Sequence, residues 1–311
     1  YNDDKGVTAD LDAELRNLLD RGLTVGTRYR RSADEEEIRG SLQLPSLPAL
    51  GNLTASAFRV ARDVPLVEGG PRFTQVEKGV QFQAGRRLFD RWDLLYGYRF
   101  KNSTVTLDEF ATATSVAALD VSLLRDTRDN PVNARRGRFL SANLDLSPDA
   151  LGSDLNFVKG FAQAFASHPL GSSFTWAQGY RLGLAHVFSD ETLVFTERFK
   201  AGGGNSVRGF ATDSLGPRDV FGDSAGGEAV VVLNQELRYM HPRGIGVVAF
   251  YEAGNVFAKA RDLNLKLRHS AGAGLRWDSP VGLLRADVGF PLDRRPDEKR
   301  YRLFVSLGQA F

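Results

Sequence analysis

One arginine in a glycine-rich segment has the chemistry that stands out in this sequence. The segment Gly-Gly-Gly-Asn-Ser-Val-Arg-Gly-Phe occupies positions 202–210, with Arg208 near its end. Arginine presents a planar, permanently charged fork of donors that can bind a carboxylate through two hydrogen bonds. Gly209 permits a backbone turn that other residues resist, and Phe210 supplies a bulky apolar anchor. These residue types suit a loop that binds a carboxylate; the alternative is that Arg208 is a solvated loop cation.

Other chemistry-bearing motifs in the sequence lack the context that they need. Positions 222–226 fit the Gly-x-Ser-x-Gly pattern of a hydrolase nucleophile, with Ser224 at the centre. That pattern requires a helix after the serine, whereas strand-forming residues follow at 229–232. The segment 202–210 also lacks the Lys-Ser/Thr ending of a phosphate-binding loop. The four histidines are dispersed and cysteine is absent, so we predict no catalytic residue, no metal site, no cofactor and no enzymatic activity.

The composition favours β-sheet and gives no sign of nucleic-acid binding. The 311 residues include 32 glycines, 21 phenylalanines and a single methionine, which favours strands and turns over helices. The net charge of +2 is nearly balanced, so nucleic acid is not expected as a partner. No run approaches the roughly 18 apolar residues of a membrane helix. The polar first residues predict no signal peptide, so an exported protein would be a mature or trimmed chain.

Apolar and polar residues alternate along the chain and predict about fifteen strands, many of them about ten residues long or more. In the segment 281–290, Leu284 and Val288 share one face, and Arg285 and Asp287 share the other. Because charged side chains are costly in lipid, we place the charged face in the lumen of a membrane barrel. The alternative is an amphipathic sheet that covers a soluble core.

The last predicted strand, 301–311, has the same pattern and ends on an aromatic residue. Its apolar face consists of Tyr301, Leu303, Val305, Leu307 and Phe311. The opposite face is small or polar and includes Gly308, with Phe304 as the exception. Such a strand is typical of a barrel wall that faces lipid.

The predicted fold is all-β: a transmembrane antiparallel β-barrel of about 15–16 strands, with a long loop at 188–226. Single-chain bacterial barrels normally have an even number of strands. Either one strand is missed by the pattern or the first strand lies upstream of Tyr1, and we favour the second explanation. Loops as long as the one at 188–226 are usually functional or disordered, and the glycines around Arg208 favour a function.

Several motifs, in order along nearly the whole chain, carry a resemblance to a known family. They are Leu15–Gly22 (LRNLLDRG), Asp126–Pro131 (DTRDNP) followed by Arg136-Gly137, Val207–Phe210 (VRGF), Glu236–Tyr239 (ELRY) and Phe250–Val256 (FYEAGNV). With these motifs the chain resembles the barrel domain of the BamA/TamA superfamily of outer-membrane assembly and translocation factors.

The resemblance implies a role for two groups of residues. The functional loop is the family's sixth extracellular loop, directed into the lumen, and its residues here are Gly204, Val207, Arg208, Gly209 and Phe210. By analogy with the family, Arg208 pairs with Glu252, at a position where the family usually has aspartate. Glu252 has the opposite parity to Val247, Ala249 and Tyr251, which we assign to the lipid face. The resemblance also implies a weak seam at the C-terminal strand, for which we single out Tyr301, Gly308 and Phe311.

The resemblance further implies one barrel domain of the surface-antigen type over residues 1–311, with POTRA domains upstream of this chain. The expected location is the outer membrane of a Gram-negative-type bacterium. The expected function is insertion or assembly of outer-membrane proteins through a weak lateral seam. Expected partners are unfolded outer-membrane or secreted client polypeptides, the lipid bilayer with lipopolysaccharide, and periplasmic or lipoprotein partners. Two alternatives stay open: a two-partner-secretion-type polypeptide transporter, and the barrel anchor of a passenger enzyme of the patatin-like kind.

Overall fold

The computed structural model describes residues 8–47, 51–65, 72–89, 91–107, 110–188, 193–219, 222, 224–280 and 282–311. The first seven residues of the predicted domain, residues 189–192 of the long loop, and Asp223 of the Gly-x-Ser-x-Gly pattern lie outside the described residues. Among the described residues, no helix has the length and apolar character needed to cross a membrane.

The described part of the chain contains fifteen strands and two 3-10 turns. The strands are β1 (Ala9–Leu18), β2 (Leu23–Arg31), β3 (Glu35–Leu47), β4 (Gly51–Pro65), β5 (Arg72–Arg87), β6 (Trp92–Leu107), β7 (Phe110–Asp126), β8 (Gly137–Ser147), β9 (Phe157–Leu170), β10 (Phe174–Val187), β11 (Ala229–Met240), β12 (Ile245–Phe257), β13 (Arg268–Ser279), β14 (Gly282–Pro291) and β15 (Arg302–Leu307). The 3-10 turns are Asp149–Leu151, between β8 and β9, and Ala260–Asp262, between β12 and β13.

All fifteen strands form one antiparallel sheet in which each strand pairs with the next along the chain. Within the described residues, no strand pairing joins β15 to β1. Most of the strands have ten or more residues, the length that a tilted strand needs to cross a bilayer. The all-β, antiparallel barrel fold that the sequence predicts is confirmed.

The two faces of the sheet differ because side chains alternate along each strand. In β10, Trp176 and Leu182 point outward and are exposed, while Ala177 and Ala185 point inward and are buried. The same alternation runs through β12 and β14. An outward face of exposed apolar side chains over an inward face with charged residues is typical of a wall surrounded by lipid.

The two ends of the barrel carry different connections. Short turns such as 171–173 and 241–244 lie at one end, which we call the turn end. The connection of about forty residues between β10 and β11 leaves from the other end, the loop end, and its described part, 193–219, 222 and 224–228, returns into the lumen. We call this connection the lumen loop. Its buried apolar side chains, among them Val207 and Phe210, pack against the wall that the strands supply.

β15 is shorter than the sequence predicts, and this corrects the assignment of Gly308 and Phe311 to the last strand. β15 has six residues, and Gly308 follows it with a left-handed backbone φ of +83°. The backbone N–H of Gln309 then donates to the carbonyl of Val132 at 3.3 Å. The ring of Phe311 lies 5.7 Å from that of Phe165, on the inward face of β9. The prediction that Phe311 faces lipid is therefore wrong, because the chain turns into the lumen at Gly308.

Candidate functional site

Arg208 of the lumen loop is completely buried inside the barrel. Its exposed fraction is 0%, and with Arg276 it is the largest fully buried side chain among the described residues. Gly203 and Gly209, on either side of it, have left-handed φ values of +94° and +101°, which glycine adopts without steric cost. The loop can therefore turn twice within seven residues and present Arg208 to the wall.

The Arg208 guanidinium binds carboxylates from three different strands. Its Nε donates to Glu252 Oε1 of β12 at 2.9 Å, and the Arg208 backbone N–H donates to Glu252 Oε2 at 2.5 Å. Its Nη2 donates to Glu236 of β11 at 2.5 Å, and its Nη1 to Asp287 of β14 at 2.8 Å. The guanidinium carbon also lies 3.5 Å from the centroid of the Phe250 ring. We call Arg208 with Glu236, Glu252 and Asp287 the arginine anchor.

The structure places Arg208 beside Glu252, the residue that the resemblance implied, and adds two carboxylates that the sequence analysis did not pair with it. Alternation had already placed Asp287 on the charged face of its strand, and Glu236 lies in the matching position on β11. The sequence analysis could not predict the path of the loop. That path places Arg208 in contact with β11, β12 and β14 at the same time. No short-range sequence pattern encodes contacts between residues so far apart in the chain.

Other arginines of the wall pair with two carboxylates of the anchor. Arg238 Nε donates to Glu236 at 2.6 Å, and Arg276 Nη1 donates to Asp287 at 2.5 Å. Arg285 lies 3.7 Å from Asp287 and donates to Asn205 of the loop at 2.7 Å. Glu236 and Asp287 are therefore shared between the loop and the wall, and Glu252 accepts from Arg208 and from Asn234 of β11, so each buried carboxylate has partners.

Arg208 keeps its charge in this environment. Burial alone would lower the pKa of Arg208, but Glu252, Glu236 and Asp287 outweigh burial and raise it above its ordinary value. A permanently charged group held by three carboxylates is suited to hold the loop and not to transfer protons.

Val207 and Phe210 fix the loop on either side of the charged group. Both are buried in one apolar cluster with Val230, Val232 and Val256 of the wall. The guanidinium of Arg268 lies 4.7 Å from the centroid of the Phe210 ring. The segment Val207–Phe210 is thus held by apolar packing as well as by ion pairs.

Two glycines allow the loop to lie directly on the wall. A Cβ atom on Gly289 of β14 would lie 2.7 Å from the Arg208 carbonyl carbon, so only glycine leaves room for the loop backbone. A Cβ atom on Gly204 would lie 3.0 Å from the ring of Phe304. This contact explains why Phe304 interrupts the polar face of the last strand: it is buried against the lumen loop.

The remaining predicted residues lie around the end of the sheet. Tyr301 precedes β15, is exposed, and its ring lies 6.3 Å from that of Phe290. Gly308 donates its backbone N–H to the carbonyl of Leu283 at 2.7 Å. The guanidinium of Arg238 lies 5.2 Å from the Phe311 ring. Tyr301, Gly308 and Phe311 therefore do not lie together on one strand. The Phe311 ring lies beside Arg238, which pairs with Glu236 of the arginine anchor, and it approaches the anchor from the turn end.

The structure does not give Ser224 the setting of a hydrolase nucleophile. Ser224 lies in the lumen loop and forms an isolated bridge with Arg218, and β11 follows it where a helix would be required. Its Oγ has no hydrogen-bond partner among the described residues. Within the same residues, no group of three or more histidine or acidic side chains could hold a metal ion.

Curated proteins with similar sequences include outer-membrane assembly factors. The chain is 29% identical over 198 residues to the outer membrane protein assembly factor BamA of Nitratidesulfovibrio vulgaris, which covers 61% of this chain and 25% of that protein. It is 27% identical over 222 residues to the BamA of Neisseria meningitidis, covering 60% of this chain and 28% of that protein. The chain thus spans about a quarter of the length of these relatives.

Solved structures share the fold at low sequence identity. BamA from Haemophilus ducreyi lacking POTRA domains 1-3 superposes with a TM-score of 0.87 and 18% identity, covering 98% of this chain and 68% of that one. CdiB from Escherichia coli superposes with a TM-score of 0.65 and 16% identity, covering 96% of this chain and 58% of that one. The family described as the Omp85 superfamily domain matches residues 17–311. The chain therefore belongs to the Omp85 superfamily, as the resemblance to the BamA/TamA barrels predicted.

Proposed function

We propose that this protein inserts or assembles other proteins in an outer membrane, with the lumen loop held in its working position by Arg208. The observation that carries the proposal is the arginine anchor, a loop arginine buried among carboxylates of β11, β12 and β14. The matched relatives from two bacteria are outer membrane protein assembly factors. A plain diffusion porin would leave the Val-Arg-Gly-Phe signature at 207–210 unexplained.

The edge of the sheet is the proposed place of contact with a client strand. β15 has only six residues and is joined to β14 alone in the described part of the chain. An edge strand presents unpaired backbone N–H and C=O groups to which another strand can add. A short last strand offers a weak closing contact, so a client strand could displace it at low cost. Tyr301 and Gly308, at the two limits of β15, would set the length of this seam.

The proposed setting is the outer membrane of a Gram-negative-type bacterium. The outward face of the barrel is apolar, which suits acyl chains, and short turns of such barrels lie on the periplasmic side. The turn end would then face the periplasm and the lumen loop would enter from outside. The proposed partners are unfolded outer-membrane polypeptides, the bilayer with its lipopolysaccharide, and periplasmic or lipoprotein factors.

Reconstitution tests this function. The full-length protein is placed in vesicles of phosphatidylethanolamine and phosphatidylglycerol, and a urea-denatured eight-stranded barrel is added as client. We expect the protein to speed client folding, scored as heat-modifiable mobility on gels, and Arg208→Ala to reduce that effect by about ten-fold or more. Arg243→Ala, an exposed arginine in a tight turn, is the matched control. No acceleration by the unaltered protein would refute the proposal.

A second candidate function is export of a polypeptide through the lumen. The fold likeness to CdiB, at a TM-score of 0.65, is the observation that favours it. The two functions differ in the final location of the client protein. An assembly factor leaves a folded client in the same membrane, whereas an exporter delivers it, protease-accessible, on the far side of the vesicle.

A further inference from the structure

A second buried charge of the lumen loop lies well away from Arg208. Glu197 is 3% exposed, and its Oε1 accepts from Lys101 of β6 at 2.6 Å. Its Oε2 accepts from Lys159 of β9 at 2.5 Å, and Arg99 of β6 lies 3.9 Å away. Lys159 also approaches the Glu197 backbone carbonyl at 3.4 Å. One loop carboxylate is therefore held by three cations of the wall.

These cations belong to a different part of the wall from the arginine anchor. Glu197 binds β6 and β9, whereas Arg208 binds β11, β12 and β14. The two sets share no strand, and they lie on opposite sides of β10, the strand from which the lumen loop leaves. Two charged residues of one loop thus hold two separate arcs of the sheet.

Apolar packing also holds the Glu197 region, at a cluster separate from the one that contains Val207 and Phe210. Leu193 is buried in a cluster with Phe157 and Val187 of β9 and β10. The ring of Phe199 lies 6.1 Å from that of Phe161, and it fills the space over Gly183, where a Cβ atom would lie 2.6 Å from it. Leu193 therefore gives the segment 193–199 an apolar contact of its own with the wall, whereas Phe199 also packs against the cluster of Val207 and Phe210.

We propose that Glu197 is a second anchor of the lumen loop, a positioning residue that holds residues 193–199 against β6 and β9 independently of Arg208. The loop then contacts two arcs of the barrel wall, and the segment 193–199 and the segment around Arg208 can each be released separately. The inference deepens the proposed function, on which it rests for any consequence in client folding. The position of the loop itself can be measured with no client present.

Thiol labelling measures the two anchored segments of the loop separately, since these 311 residues contain no cysteine. Thr196→Cys reports on the segment 193–199 and Ser206→Cys on the segment around Arg208, each in the folded 311-residue chain treated with a water-soluble maleimide. We expect Glu197→Gln to speed labelling of the Thr196→Cys thiol by about ten-fold or more, and that of the Ser206→Cys thiol by less than about two-fold. Arg208→Ala should show the reverse pattern.

Two further variants make the result specific to the ion pairs. Lys159→Met should speed Thr196→Cys labelling as Glu197→Gln does, and the combined variant should be no faster than Glu197→Gln alone, because both changes break the same contact. Asp213→Asn is the matched carboxyl-to-amide control in the same loop, with no ion pair in the described part of the chain, and should label like the unaltered protein.

The inference is overturned if Glu197→Gln labels no faster than Asp213→Asn. It is equally overturned if Glu197→Gln and Arg208→Ala release both reporters to the same extent, since the loop would then move as one body. A failure of client folding in every variant would refute the proposed function and leave the labelling result standing.

Discussion

At the scale of single residues, the arginine anchor depends on the shape of the guanidinium group and not only on its charge. Arg208 directs different nitrogen atoms to Glu236, Glu252 and Asp287, which lie on three strands. An ammonium group is a compact point charge on a flexible stem and cannot reproduce this fixed fork. Removing one partner from a buried ion pair also leaves the other charges uncompensated, at a cost of about 3–5 kcal/mol.

Arg208→Lys is therefore expected to be nearly as damaging as Arg208→Ala. We expect a loss of about 2–4 kcal/mol in the free energy of unfolding for lysine and about 3–5 kcal/mol for alanine. Urea unfolding of the reconstituted barrel, followed by heat-modifiable mobility, measures both. Arg243→Lys in the exposed turn should change the free energy by less than about 0.5 kcal/mol. A lysine variant as stable as the unaltered protein would show that charge alone holds the loop.

Glu197 is expected to make the loop sensitive to acid. Burial opposes ionisation of Glu197, but Lys159, Lys101 and Arg99 outweigh it and lower its pKa from 4.5 to about 2. A carboxyl group with a lowered pKa in the folded state stabilises that state above pH 4.5, and its contribution falls as the pH drops towards 2. A shift of this size corresponds to about 3 kcal/mol at neutral pH.

The stability difference between the unaltered protein and Glu197→Gln should therefore shrink as the pH falls from 4.5 to 2. Urea unfolding at a series of pH values gives this difference directly, and other carboxylates that titrate in the same range cancel in the comparison. A difference that stays constant across the range would mean that Glu197 is not ionised in the folded protein.

At the scale of elements, the strands could be predicted from the sequence and the contacts of the lumen loop could not. A strand has a side-chain period of two, so its inward and outward residues are visible in any ten residues of β10 or β14. The position of the loop depends on contacts between residues that are far apart in the sequence, such as the contact of Arg208 with Asp287. Sequence alternation continued past Leu307, whereas the left-handed φ at Gly308 ends the strand there.

Because the lumen loop lies directly on β14, a methyl group added at Gly289 should disturb the loop. A Cβ atom on Gly289 would meet the backbone nitrogen of Gly209 at 2.5 Å, and backbone atoms cannot rotate away as a side chain can. Gly289→Ala should therefore displace the loop and cost about 1–3 kcal/mol in the free energy of unfolding. It should also speed labelling of the Ser206→Cys thiol.

Gly40→Ala in β3 is the control for this change. A Cβ atom there would meet nothing within 4 Å among the described residues, so the same substitution should be neutral or slightly stabilising. Equal effects at the two glycines would mean that the loop does not rest on β14 in the membrane.

At the scale of the whole molecule, the three tryptophans mark one border of the apolar surface. Trp92 begins β6, Trp176 is the third residue of β10, and Trp277 lies near the end of β13. These positions are all at the turn end, and Trp176 and Trp277 are exposed on the outward face. Tryptophan prefers the border between acyl chains and headgroups. The turn end should therefore lie at a membrane interface, with the lumen loop towards the opposite side.

Fluorescence quenching by brominated lipids tests this placement in the reconstituted protein. Single-tryptophan variants, with the other two replaced by phenylalanine, are placed in bilayers brominated either near the headgroups or deep in the acyl chains. We expect all three to be quenched more strongly by the shallow bromines and only weakly by acrylamide in water. If Trp176 and Trp277 were quenched by acrylamide and not by either lipid, the outward apolar face would be in contact with water at the turn end and not with a bilayer. If the three differed widely in depth, the strands would not cross the membrane with the turn end at a single interface, and the lumen loop could not enter from the opposite side.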